Sequence, residues 1–100
     1  MVIARPTTEH EVQETLVQFL RGIGFARRLW IGVDRDILTF WVLTAPVRPE
    51  VERDVYRVNM RIYERVPEAR FNLIVVNPAL FDDHDFHFDP PAGAREIPLL

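Results

Sequence analysis

The fold is decided by residues 46–78, which read PVRPEVERDVYRVNMRIYERVPEARFNLIVVNP. The first part predicts a helix, because its apolar residues recur at the spacing of one helical face. This stripe consists of Val51, Val55, Val58, Ile62 and Val66, with Tyr56, Met60 and Tyr63 along its flank. Pro49 suits the first turn of a helix, and Pro67 ends it, because proline disfavours the helical conformation in the residue before it.

A strand follows this helix after only a few residues. Residues 71–76 (FNLIVV) form a nearly continuous apolar run, which is typical of a strand covered on both faces. Asn77 and Pro78 end the run, because this dipeptide favours a turn. Residues 46–78 therefore predict a helix that leads directly into a strand, and the other elements are expected to pack around this pair.

An earlier helix is predicted from the residues after Thr8. Thr8 and Glu11 have the spacing of a capping box, in which each side chain binds the backbone N–H of the other residue. An apolar stripe follows, formed by Val12, Leu16, Phe19, Leu20 and Ile23. Gly22 and Gly24 can adopt positive φ, so we expect the helix to end between Arg21 and Ile23.

Two strands are predicted between the helices. Residues 25–33 alternate with a period of two, and residues 37–44 are rich in β-branched and aromatic side chains. The intervening Asp34, Arg35 and Asp36 favour a turn. A β-hairpin is the simplest interpretation of this region.

The predicted order of elements is α-β-β-α-β, an α+β fold with both helices on one face of the sheet. A helix joins strands two and three, so these are expected to run parallel with a right-handed crossover, either adjacent or separated by strand one. We expect a mixed or antiparallel sheet of three strands, or of four if the alternating residues 85–89 form an edge strand. Residues 1–81 are expected to form the domain, and residues 82–100 an acidic, proline-rich tail or strap.

Composition is that of an ordinary globular domain. Of the 100 residues, 48% are hydrophobic and 27% are charged, and the formal net charge is −3. The absence of cysteine excludes disulfides and thiolate chemistry. Residues 1–10 lack the apolar core of a secretory signal, and no apolar run is long enough to span a bilayer. We therefore expect a cytoplasmic protein that does not contact membranes.

The second face of the predicted sheet is unusually apolar. If the helices cover Leu29, Ile31 and Phe40, the opposite face carries both tryptophans and several aliphatic side chains. These residues are Trp30, Ile37, Trp41, Leu43, Ile74 and Val76. Such a patch is larger than monomers usually expose, and tryptophan is enriched at interfaces, so we predict a homodimer that forms through this face. A partner or ligand site is the alternative use of the same face.

Two alternatives to this interface are open. In the first, the two faces of the sheet are reversed. In the second, the C-terminal tail covers the apolar face. The covering residues would then be Phe86, Phe88, Ile97 and Leu99.

Four arginines recur every four residues along the predicted second helix, at Arg53, Arg57, Arg61 and Arg65. Such a row can bind an acidic partner or the phosphates of a nucleic acid. Alternatively, the arginines pair with neighbouring acidic residues on a solvated face, or with the acidic residues 82–85. The negative net charge argues against nucleic acid as the main partner.

A cluster of oxygen and imidazole ligands follows the last predicted strand. It contains Asp82, Asp83, His84, Asp85, His87 and Asp89. These side chains can bind a divalent metal, so a metal-dependent sensor or hydrolase is the main alternative function. An acidic surface loop is the simpler interpretation, because the spacing fits no established class of metal site.

No specific catalytic or nucleotide-binding pattern occurs in the sequence. The chain has no serine, and Gly22-Ile23-Gly24 follows a helix instead of linking a strand to a helix as in dinucleotide sites. His10 lies in the first turn of the first helix, where an exposed surface residue is expected rather than a general base. We therefore predict a small, soluble, non-enzymatic interaction or regulatory module.

The order of elements resembles that of small α-β-β-α-β regulatory domains, such as the cytoplasmic domain of cation-efflux transporters. In those domains a helix that ends in a proline-containing turn leads into the final strand, as residues 63–69 (YERVPEA) do here. The resemblance is architectural and covers residues 9–78. It implies the fold and transfers no residue role.

Overall fold

A computed structural model of the protein describes residues 6–81 and 87–99. Its helices and strands, in chain order, are α1 (Pro6–Arg21), β1 (Ala26–Asp34), β2 (Ile37–Thr44), α2 (Glu52–Tyr56), α3 (Val58–Arg65), β3 (Asn72–Val76) and β4 (Arg95–Ile97). Two short 3-10 turns, Pro49–Val51 and Pro78–Leu80, precede α2 and follow β3. The predicted order α-β-β-α-β is confirmed, with a further strand at its end.

The four strands form one mixed sheet in the order β3-β2-β1-β4. β1 pairs antiparallel with β2 and with β4, whereas β2 and β3 are parallel neighbours. The parallel pair was expected, because a helical connection returns the chain to the same end of the sheet. The prediction of an α+β fold with a three- or four-stranded sheet is therefore confirmed.

α1 begins at Pro6, so the predicted capping box at Thr8 is wrong. Proline is well tolerated in a first helical turn, where its missing N–H would have no partner within the helix. The predicted end at Arg21 is confirmed, but by a different mechanism from the one expected. Neither Gly22 nor Gly24 adopts positive φ; instead, the N–H groups of Gly22 and Ile23 bond carbonyls three residues earlier at 3.1 and 3.0 Å.

α2 and α3 together form one helical arm, which is interrupted only at Arg57. This residue keeps helical dihedrals (φ −61°, ψ −22°), and its N–H bonds the carbonyl of Arg53 at 3.1 Å. The arm ends at Val66, whose φ of −133° precedes Pro67 as predicted.

The main core lies between the sheet and the helices. Its buried members are Val12, Leu16, Leu20, Leu29, Ile31, Phe40, Val42, Val55, Val58, Ile62, Val66, Ala69 and Ile97. Both predicted helical stripes contribute to it, and so do alternate residues of β1 and β2. This arrangement confirms the predicted assignment of the sheet faces, and the reversed alternative is wrong.

The fourth strand lies elsewhere than predicted. It is Arg95–Ile97, which pairs with β1, and not residues 85–89, of which 87–89 form no strand and 85–86 lie outside the described residues. The free edge of β1 accounts for this choice. A strand there satisfies the backbone groups of β1 and buries Ile97 in the core.

Candidate interaction surface

Both tryptophans of the second sheet face are buried within the single chain. Trp30 and Trp41 face each other across β1 and β2 and are 4% and 5% exposed. The ring of Phe88 lies 5.3 Å from that of Trp30, at an angle of 58°. Residues 87–94, which we call the C-terminal strap, therefore contact the face on which an interface was predicted.

A second contact fixes the strap on this face. At Gly32, an added Cβ would lie 3.4 Å from the Cα of Ala94 and 3.1 Å from the Trp41 ring. Glycine thus allows the strap to approach β1 closely. The sequence alternative in which the tail covers this face is correct for Phe88. Ile97 and Leu99 pack instead against the main core, and Phe86 lies outside the described residues.

The other predicted interface residues remain partly accessible. Ile37 and Ile74 are each 40% exposed, Leu43 is half-buried, and Val76 is almost fully buried. The exposed part of this face therefore lies towards β3 and the hairpin turn. The predicted interface stays a prediction, and its accessible members are Ile37 and Ile74.

β3 is an edge strand with few of the features that usually protect such edges. In the described part of the chain, β2 is its only strand neighbour. Its five residues, Asn72–Val76, carry no charge and no proline. The opposite edge is different, because β4 has three residues and two of them, Arg95 and Glu96, are charged. Short length and charge are common means of preventing edge-to-edge association, so β4 is protected and β3 is open.

Exposed side chains of the helical arm extend the open edge. Tyr56, Met60 and Tyr63 are exposed and recur at the spacing of one helical stripe. The ring of Tyr63 stacks on Phe71, just before β3, with a centroid distance of 5.3 Å. We call the set of Tyr56, Met60, Tyr63, Phe71 and Ile74 the β3-edge surface.

A concavity of about 490 Å³ adjoins the start of this surface. Its lining includes Ile37, Tyr63, Phe71 and Asn72, together with the charged residues Glu9, Asp36 and Arg70. Ile37 of the second sheet face is thus continuous with the aromatic part of the β3-edge surface.

The arginine row is engaged mainly within the chain. Arg57 pairs with Asp54 at 3.5 Å, and Arg61 lies over the ring of Phe19 at 5.9 Å. Arg65 donates to the Thr15 hydroxyl at 3.1 Å and lies 3.9 Å from a Glu14 carboxylate oxygen. Arg61 and Arg65 therefore link α3 to α1. Arg53 makes no ion pair or side-chain hydrogen bond with the described residues.

The predicted metal cluster falls largely outside the described residues, which exclude Asp82, Asp83, His84 and Asp85. Nε2 of His87 lies 2.8 Å from Oδ1 of Asp89, and both side chains are exposed. In residues 6–81 and 87–99, no three histidine or acidic side chains are grouped so that they could hold a metal ion. The metal site stays a prediction.

His10 is exposed, as expected, and its Nε2 lies 3.3 Å from a carboxylate oxygen of Glu14 one helical turn later. This pair lies on the surface of α1. Among residues 6–81 and 87–99, the only side chain paired with the His10 ring is this carboxylate, which is not a hydroxyl or thiol nucleophile. The geometry therefore offers no support for a general base at this position.

Comparison of the chain with models of protein families, with curated proteins and with solved structures finds no match. Within the described ranges 6–81 and 87–99, no helix has the length and apolar character needed to cross a membrane. Inference about function therefore rests on the surface itself.

The sequence interpretation missed the open edge. It placed Tyr56, Met60 and Tyr63 on the flank of the core stripe, and it interpreted residues 71–76 as a strand covered on both sides. The sequence held one indication of this edge, namely that residues 72–76 carry no charge. The position of this strand within the sheet was not known from the sequence. Edge position depends on pairing between distant residues, so this signal could not be interpreted from local patterns alone.

Proposed function

We propose that the protein is a small non-enzymatic interaction module that works as a homodimer joined through the β3-edge surface. The observation that carries this proposal is the uncharged outer edge of β3, which pairs with no strand among residues 6–81 and 87–99 and has Ile74 exposed at its centre. An uncharged edge strand presents unpaired backbone N–H and C=O groups, which are a ready template for pairing with another chain. Natural proteins rarely leave such an edge unprotected unless a partner covers it.

The contrast between the two edges of the sheet supports this assignment. β4 ends the sheet with Arg95 and Glu96, and Glu96 is held by Arg28 of the neighbouring strand. The same chain therefore protects one edge with charge and leaves the other apolar. Protection at one edge only is expected when the second edge is used for association.

The proposal retains Ile74 from the predicted interface, with Ile37 in the adjoining concavity, and assigns the tryptophans another role. Trp30 and Trp41 lie beneath the strap, so their burial stabilises the chain itself. Aromatic residues also bury large areas at modest entropic cost in interfaces. In this protein Tyr56 and Tyr63 are exposed aromatic residues that can be buried by a partner.

Light scattering or sedimentation of the full chain over a range of concentrations tests the proposal. The wild type is expected to show the mass of two chains, and Ile74→Lys the mass of one, because lysine on an edge strand opposes its pairing with another strand. Val33→Lys is the matched control. Val33 is an aliphatic strand residue that is 71% exposed, but it lies on β1 beside the hairpin turn.

Val33→Lys is expected to keep the mass of the wild type. Circular dichroism of both variants verifies that each is folded. A wild type that sediments as one chain at high concentration would overturn the proposal. So would a folded Ile74→Lys variant that retains the mass of two chains.

A further inference from the structure

We infer that the partner at the β3-edge surface is a second copy whose β3 runs antiparallel to the first, about a two-fold axis at Ile74. This inference rests on the proposed function and adds the partner's orientation and register. Ile74 is the middle residue of the strand Asn72–Val76. An axis at this residue lets all five residues of one strand face those of the other.

The strand sequence suits this two-fold arrangement. Because pairing is symmetric about residue 74, Ile74 faces its own copy on the second sheet face, and Leu73 faces Val75 on the helix-covered face. Asn72 faces Val76. No charged residue faces a like charge, since none of the five residues is charged.

The helical arm gives an independent argument for a second copy. α2 and α3 connect parallel strands, so the arm runs opposite to β3. A two-fold axis at Ile74 therefore places the two arms side by side and antiparallel, with Tyr56 and Tyr63 of each copy directed to the other. Both tyrosines are exposed in the single chain.

Charges at the ends of the arm are complementary in this arrangement. Arg53 and Glu64 lie on the same side of the arm, about three helical turns apart. Neither has an ion pair or a side-chain hydrogen bond with the described residues. When the two arms lie antiparallel, Arg53 of one copy approaches Glu64 of the other. The two-fold axis generates two such pairs, one at each end of the joint. A parallel arrangement would instead place like charges together.

The arrangement also limits assembly to two copies. Joining two four-stranded sheets through β3 gives a continuous eight-stranded sheet that ends in β4 on both sides. β4 is short and charged, so neither end offers a template for a third copy. A closed dimer, rather than a fibre, follows from the asymmetry of the two edges.

Single-cysteine variants test the register, since the native chain has no cysteine. Ile74→Cys is expected to give a linked dimer with a short bis-maleimide or on mild oxidation, because the two side chains face each other at the axis. Asn72→Cys is expected to stay unlinked, because antiparallel pairing places the two copies of residue 72 at opposite ends of the joint. Val33→Cys, exposed and remote from β3, is the control for random collision and is expected to stay unlinked.

The outcomes separate this inference from the proposed function. If the wild type is dimeric and Ile74→Lys is monomeric, but Asn72→Cys links as well as Ile74→Cys, the strands are parallel and the inference fails while the proposed function stands. If neither cysteine links, the copies meet by another geometry and the inference again fails. A monomeric wild type overturns both.

A charge exchange tests the arm. Arg53→Glu is expected to weaken the dimer roughly fivefold at low salt, because it places glutamates together at both ends of the joint. Adding Glu64→Arg is expected to restore the wild-type dissociation constant. If the double variant stays as weak as Arg53→Glu, the two arms are not antiparallel and the inference is overturned.

Discussion

Arg28 and Glu96 are joined by two hydrogen bonds, from Nε to Oε2 at 3.0 Å and from Nη2 to Oε1 at 2.7 Å. The pair ties β4 to β1 on the face that carries the tryptophans. The same guanidinium lies over the Trp30 ring, 4.7 Å from its centroid. Arg28 therefore both binds β4 to β1 and covers part of the Trp30 ring.

Glu96→Gln is expected to reduce the stability of the fold at neutral pH. The hydrogen bonds from Arg28, together with its charge, lower the pKa of Glu96. A carboxylate whose pKa is lowered by folding stabilises the fold fully above its unfolded-state pKa, which is about 4, and loses this contribution as the pH falls through the folded-state value. Urea denaturation at several pH values measures the difference between wild type and Glu96→Gln.

That difference is expected to be constant above about pH 5 and to disappear in more acidic solution. It should be small, because both side chains are exposed to solvent. Arg28→Gln serves as the comparison, since it also removes the contact with Trp30 and should cost more than Glu96→Gln. A difference between wild type and Glu96→Gln that does not change with pH would show that the ion pair is not its source.

The sequence predicted those parts of the fold that depend on local patterns. The stripe that includes Val55 and Ile62 requires one helical face to be buried, and Pro67 requires the helix to end. The alternation in residues 25–33 and 37–44 similarly requires two strands. Each of these features is determined by residues within a few positions of one another, so their periodicity alone is informative.

Features that depend on distant pairing could not be predicted in this way. Residues 95–97 show no strand period, and they form β4 only because β1 has a free edge beside them. The burial of Trp30 likewise depends on Phe88, which is far away in the sequence. The open edge of β3 follows from the order of strands. Its role as a candidate interface therefore became visible only in the structure.

Asn77 is expected to be the most sensitive polar residue of the fold. Its side chain is buried, accepts from the N–H groups of Val47 and Ala79 at 3.2 and 3.1 Å, and donates to the carbonyl of Val47 at 2.7 Å. These bonds fix the end of β3 to the segment that leads into the helical arm. Asn77→Ala removes the side-chain partner of these partly buried backbone groups and should cost about 2 kcal/mol.

Urea denaturation of Asn77→Ala and Asn72→Ala provides the measurement and its control. Both are made in the monomeric Ile74→Lys background, where Asn72 is an exposed asparagine at the other end of β3 and its substitution should change the free energy of unfolding by less than about 0.5 kcal/mol. Similar costs for the two variants would contradict the role assigned to Asn77.

The hairpin turn offers a way to stabilise the protein. Arg35 and Asp36 have φ values of 51° and 65°, and the flanking residues Asp34 and Ile37 are paired. A two-residue turn with both φ angles positive is of type I′, which strongly favours asparagine followed by glycine. The double substitution Arg35→Asn/Asp36→Gly is expected to raise the free energy of unfolding by about 1 kcal/mol.

Thermal or urea denaturation measures this gain. Arg35→Val is the comparison, and it should be destabilising, because a β-branched residue tolerates positive φ poorly. If Asn-Gly lowers stability, the native side chains of the turn make contacts that outweigh its backbone strain.

Two buried threonines are expected to respond in opposite ways to the same substitution. The hydroxyl of Thr39 donates to the carbonyl of Ile37 at 2.9 Å, whereas Oγ1 of Thr44 is buried without a partner among the described residues. Valine has nearly the same shape as threonine and lacks the hydroxyl. Thr44→Val should therefore raise the free energy of unfolding by about 1 kcal/mol, because an unpaired buried hydroxyl is removed. Thr39→Val should lower it by about 1 kcal/mol, because a hydrogen bond is lost.

Both residues lie in β2, so strand propensity is the same in each case and cannot account for a difference in sign. Urea denaturation of the two variants beside the wild type gives both values, and a shift in the same direction for both would show that packing, rather than the hydroxyl's partner, sets the sign.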